Sequence, residues 1–136
     1  MEVSLALVAD AANRSEEGKL NILGAFSNLF AVRYPVRHPE MQLVLRMEAS
    51  VAEVGTLKKF KVLLLDADGN PQHTRVEGEF TVPPANRAGS RVYMETVIRM
   101  VDTTFEKQGD YSLAILINEE EKASIPLTVG PPPKEG

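Results

Sequence analysis

The chain has 136 residues, of which 43% are hydrophobic and 25% charged, with a formal net charge of −4 and no cysteine. The length is that of one domain and the composition that of a soluble globular protein. An acidic balance argues against a generally nucleic-acid-binding surface, and the missing cysteine excludes disulfides, thiolate nucleophiles, Cys-ligated zinc and iron–sulfur clusters.

Along the chain the dominant hydrophobic period is two, the spacing of strands with one buried face. "EVSLALVAD" sets Val3, Leu5 and Leu7 on one side. It carries Glu2 where a signal peptide has basic residues, and Ser4 and Asp10 break its apolar run. "KLNILG" and "AFSNLFAVRY", between Lys19 and Tyr34, read either as two strands or as one strand bent at Gly24 by a bulge. "MQLVLRMEAS" points Leu43, Leu45, Met47 and Ala49 one way and Val44, Arg46 and Glu48 the other. "SVAEVGTLKKF" has some helix formers, but Gly55 interrupts it. "KKFKVLLLD" sets Phe60, Val62 and Leu64 against Lys59, Lys61 and Leu63. "RVYMETVIRMV" groups Val92, Met94, Ile98 and Met100; "YSLAILI" groups Leu113, Ile115 and Ile117; "KASIPLTV" groups Ala123, Ile125, Leu127 and Val129. Pro126 has no N–H to donate, which puts the last strand at an edge or turns its Pro away from the neighbour.

Turn-forming clusters separate these runs at "RSEEGK", "RHPE", "DADGNP", "VPPANRAGS", "EKQGD" and "NEEEK". The expectation is an all-β, antiparallel β-sandwich of eight or nine strands, immunoglobulin-like or a related Greek key. It fills residues 1–129, and 130–136 form a flexible proline-rich tail. No apolar run approaches the ~20 residues of a spanning helix. With no cysteine and no leader-like start, a cytoplasmic protein is expected.

"LLLDADGNP" is the nearest approach to a chemical motif. Counted from Asp66, an EF-hand loop would find oxygen ligands at Asp66, Asp68 and Asn70 and an acid at Glu77, but Pro71 stands where the loop needs glycine. Asp68-Gly69 between alternating runs is a hairpin signal, expected to join a strand ending near Leu65 to one starting near Thr74. Gly109-Asp110-Tyr111 followed by Leu113 has the pattern of a tyrosine corner, in which the hydroxyl returns to upstream backbone. No serine-nucleophile or phosphate-loop motif occurs. The histidines, His38 and His73, show no ligand spacing. The basic runs around Arg33–His38 and Lys58–Lys61 are balanced by Glu40, Glu48 and Glu53, so nucleic acid is not an expected partner.

The set "LVADAANRSEEGKLNILGAF", "YPVRHPEMQLVLRMEA", "LLLDADGNP" and "GDYSLAILINEEEKASIPLTV" resembles a family of short uncharacterised bacterial proteins classed as a domain of unknown function. The resemblance spans most of the chain and implies a compact β-sandwich. It implies no reaction, ligand or site.

The residues themselves offer one candidate binding surface: Asp10, Asn13, Arg14 and Lys19 around the first loop, with Arg37 and His38 in the third. Polar loops on a rigid sandwich are where such folds bind partners. The expected function is a non-catalytic binding or scaffolding module without cofactor, metal or catalytic residues. It would have a protein partner and exist as a monomer or as a homodimer through an edge strand. The alternative is a calcium-dependent binding protein or enzyme using Asp66, Asp68 and neighbouring loop acids.

Overall fold

A computed structural model of the chain describes residues 1–133. Nine strands run in the order β1 (Glu2–Arg14), β2 (Leu20–Phe26), β3 (Asn28–Phe30), β4 (Val36–Ala49), β5 (Leu57–Leu65), β6 (Pro71–Thr81), β7 (Val92–Phe105), β8 (Gly109–Ile117) and β9 (Glu120–Gly130). They form a four-stranded sheet of order β2-β1-β4-β7 and a five-stranded sheet of order β3-β9-β8-β5-β6. All pairings are antiparallel except that of β3 with β9. The segment with helix formers contributes one 3-10 turn, Val51–Glu53, which ends before Gly55. Among the described residues no helix is long and apolar enough to cross a membrane.

The alternation reads out as two inner faces packed on each other. Val8, Met41, Leu43 and Leu45 of one sheet share a core with Val62, Leu64, Leu113, Ile115, Leu127 and Val129 of the other. The expected inward residues of β4, β5, β8 and β9 are in place. Val44, expected on the outer face, is nonetheless fully buried. It sits on the central strand opposite Leu7 and Val97, between the long side chains of Gln42 and Arg46, whose stems shade a short neighbour.

In β1 the face differs from the expected one. The pairing with β4 shifts register between Val3 and Leu5, so Ser4 is an extra residue and the parity of the strand changes there. The residues reaching the core are Val3, Ala6 and Val8, not Val3, Leu5 and Leu7. Strict alternation cannot survive a one-residue insertion.

Between Lys19 and Tyr34 there are two strands, and they lie in different sheets. The break falls at Ser27 rather than Gly24. Gly24 is inside β2 at φ +73°, and a Cβ there would come within 2.6 Å of the Asp10 carboxylate, so both backbone and space call for glycine. At the other end of the chain, Pro126 is opposite Ser112 of β8, while β3 covers β9 only from Thr128 to Gly130. Pro126 therefore has a strand neighbour on one side only, as its missing N–H requires. β9 runs through Gly130, one residue beyond the expected boundary, and the expected flexible tail extends into residues 134–136, which lie outside the described residues.

β5 and β6 form the hairpin anticipated around Asp68-Gly69, with β6 starting at Pro71, three residues before Thr74. Gly69 takes φ +82° and donates its N–H to the Asp66 carbonyl at 3.0 Å.

Candidate binding clefts

β6 and β7 end their respective sheets and face each other across the side of the sandwich. Neither is sealed there. No residue of β6 is fully buried, and β7 is only half-buried from Met94 to Ile98. The gap is a cleft of about 770 Å³ with Leu45, Met47, Phe60, Phe80, Ile98 and Ile117 on its floor. Leu45, Met47 and Ile117 are 2%, 5% and 3% exposed, so the floor is the inter-sheet core itself. Phe60 is held in position by glycine: it pairs with Gly78, where a Cβ would lie 2.5 Å from the ring. Its ring centroid is 6.3 Å from that of Phe80.

The rim is polar and comes from the end of β1 and the turn after it, the β6–β7 loop and the first residues of β7. It carries Arg14, Arg87 and Arg91 together with Glu17 and Glu95. Arg14 lies against Gly18, and its Nε is 3.9 Å from Glu95. Glu95 is also 3.9 Å from Arg46, whose guanidinium stacks 4.8 Å from the Tyr93 ring centroid. Glu17 pairs with Lys19 at 3.2 Å. Arg91 is 3.6 Å from Glu48 and 3.8 Å from Glu2. Arg87 has no ion-pair partner among the described residues. The Ser90 N–H and hydroxyl both donate to the Arg87 carbonyl, at 3.2 and 2.9 Å, curling the loop so that Arg87 and Arg91 reach the same rim.

A second cleft, of about 460 Å³, brings together Asp10, Arg37 and His38 beside Phe26, Asn28 and Phe105. The Asp10 carboxylate lies over Gly24. Arg37 is 3.5 Å from Asp102. His38 meets the Phe26 ring edge-on at 5.8 Å, and its buried Nε2 has no hydrogen-bond partner among the described residues. Thr103, opposite His38 on β7, is fully buried and its hydroxyl is likewise unpartnered.

Of the six residues read from the sequence as one loop surface, five are thus strand residues, in three places, and Lys19 alone is in a turn. Asp10, Arg37 and His38 meet in the smaller cleft, and Arg14 is on the rim of the larger one. Asn13 is on an exposed face, accepting a 2.8 Å hydrogen bond from the Asn21 amide. Lys19 is tied to Glu17.

At the β5–β6 turn, Asp66 Oδ1 accepts from the Asp68 and Asn70 N–H groups at 3.0 and 2.9 Å. Those donors, the Asn70 N–H foremost, hold the Asp66 carboxyl below its ordinary range. This is an Asx-type turn in which the carboxylate serves the backbone. Among the described residues no three His, Asp or Glu side chains are gathered to hold a metal ion.

A family of unknown function, DUF6941, matches residues 4–130. The chain belongs to this family. No curated protein matches it. The span that defines DUF6941 here contains all of β1 but its first two residues and every later strand to the end of β9, and so both clefts.

In this DUF6941 member the larger cleft escaped the sequence. "VPPANRAGSR" reads as turn chemistry, and nothing local reveals that Arg87 and Arg91 share a rim with Arg14, more than seventy positions earlier. The available signal was weak: a long loop carrying two arginines between two strands, where the other turns are short.

Proposed function

We propose that this protein is a non-catalytic binding module whose partner enters the cleft between β6 and β7. The observation that carries this reading is a sandwich left open along one side, with core side chains for a floor and charged side chains confined to the rim. Pockets of this size, mostly apolar with a few convergent polar groups, are what small ligands use. The cysteine-free composition supports a cytoplasmic setting.

The test uses the neutral, environment-sensitive dye N-phenyl-1-naphthylamine. The parent is expected to bind it saturably with a rise in fluorescence. Ile98→Trp, which fills the floor, is expected to abolish the rise. Gly78→Ala, which drives the Phe60 ring toward the cleft, is expected to weaken it. Circular dichroism of each variant establishes that it is folded. A parent that does not bind the dye, or folded variants that bind it equally well, sinks the reading.

A second reading, self-association through β1, has one observation in its favour. β2 covers β1 only from Val8 to Arg14, so Glu2–Leu7 has a strand neighbour, β4, on one side only. The bulge at Ser4 works against it by twisting the open edge. Light scattering across micromolar concentrations decides: a 14.9 kDa particle throughout excludes the dimer.

A further inference from the structure

We infer that the β6–β7 cleft takes an amphiphile with one anionic head group, its apolar tail on the floor and its head at Arg87 and Arg91. This rests on the cleft being a binding site and adds the class of ligand. The six floor residues named are aliphatic, thioether or phenyl groups, and the Thr96 hydroxyl, between Met94 and Ile98 on β7, is a neutral polar group lining the cleft beside them. A tail placed there exchanges water for apolar contact.

The charge of the rim selects the head. Three arginines face the opening against two acids, in a chain whose net charge is −4. Each acid already has a cation: Lys19 for Glu17 at 3.2 Å, and Arg14 with Arg46 for Glu95 at 3.9 Å. Arg87 is unmatched among the described residues, and Arg91 approaches its acids at 3.6 and 3.8 Å, beyond direct hydrogen-bond contact. Two guanidinium groups four residues apart, turned to one rim by the Ser90 hydrogen bonds, offer forked donors to a carboxylate, sulfate or phosphate. A cationic head would meet the same arginines with repulsion, and a neutral one would leave Arg87 as it is.

The experiment is displacement of N-phenyl-1-naphthylamine by ten-carbon ligands below their micelle concentrations: decanoate, decyl phosphate, decyl sulfate, decanol and decyltrimethylammonium, with inorganic phosphate alone as a sixth arm. At least one anionic amphiphile is expected to displace the dye at about tenfold lower concentration than decanol, the scale of a charge-assisted hydrogen bond. Decyltrimethylammonium is expected to be weaker than decanol, and inorganic phosphate to have no effect. The order among the three anions names the head. In Arg87→Gln/Arg91→Gln the anionic advantage is expected to fall to about twofold, with decanol unchanged. If decanol matches every anion in the parent, or the double variant keeps the preference, the head assignment is overturned while the cleft remains a site. If the dye binds and no amphiphile displaces it, the ligand class is wrong, and the remaining occupant is a strand of another chain on the β7 edge. If the dye does not bind, the cleft reading itself fails.

Discussion

Two buried hydroxyls show how one functional group acts with opposite sign. Tyr111 is 5% exposed, packs edge-on against Phe105 at 5.0 Å, and donates its hydroxyl to the Lys107 carbonyl at 2.6 Å. The return to backbone four residues upstream is the tyrosine corner that Gly109-Asp110-Tyr111 announces. Tyr111→Phe is expected to cost about 1 kcal/mol, because a part-buried hydrogen bond to the Lys107 carbonyl is lost. An unchanged denaturant midpoint would remove the corner from any account of stability. Thr103 is fully buried, and among the described residues its hydroxyl is unpartnered. Thr103→Val keeps the shape and removes the desolvated group, so a gain of about 1 kcal/mol is expected. A loss on urea denaturation would show that the hydroxyl has a partner in solution.

At the scale of elements, turns decide where strands stop and bulges decide which way they face. The β8–β9 hairpin closes through Asn118 and Glu119, both at positive φ, 50° and 68°. This is the backbone of a two-residue primed turn, which favours Asn-Gly. Asn118 suits its place; its side chain also accepts from the Lys59 N–H at 2.9 Å. Glu119 is held in a strained region, and its compensation is an ion pair with Lys61 at 2.7 Å on an exposed surface. Surface pairs contribute little, whereas the left-handed conformation disfavours every residue with a Cβ. Glu119→Gly is therefore expected to raise the melting temperature by roughly 2 °C. A fall would show that the pair with Lys61 outweighs the backbone. The bulge at Ser4 is the counterpart within a strand, reversing the faces of β1 at a single position.

For the molecule as a whole, one carboxylate fastens the chain's first residue to the connection between the sheets. Glu53 accepts from the Met1 ammonium at 2.9 Å, the Ser50 N–H at 2.8 Å and the Lys58 ammonium at 3.1 Å. Those donors, the Met1 ammonium first, pull its carboxyl from 4.5 down to about 2. A carboxyl depressed by folding stabilises the folded state above its unfolded value and loses that contribution as pH falls through the folded one. The window therefore runs from about pH 4.5 down to about pH 2. Glu53→Gln is expected to be less stable than the parent at pH 7, with the difference shrinking across that window. Partial solvent exposure of the pair keeps the effect modest. Parallel acid titrations followed by circular dichroism check it; a difference that does not change between pH 5 and pH 2 would detach Glu53 from the acid response.

The sequence by itself determined the all-β class, the mostly antiparallel strands, the hairpin at Asp68-Gly69 and the corner at Tyr111. Each is written in neighbouring residues. Alternation in Leu43–Ala49 or Leu113–Ile117 needs only the two-residue repeat of a strand, and a turn needs only its own few side chains. Of the candidate site, Arg14, Asp10, Arg37 and His38 were legible as polar groups, but their division between two clefts was not. Only the tertiary structure decided that Ser27 carries the chain from one sheet to the other, that Ser4 is a bulge, and that Val44 is buried on an outer face. It also decided that β6 and β7 are the edges of the open side, where Arg14, Arg87 and Arg91 meet. Strand partners are chosen by packing between distant segments, and a period of two carries no information about which segment lies across the gap.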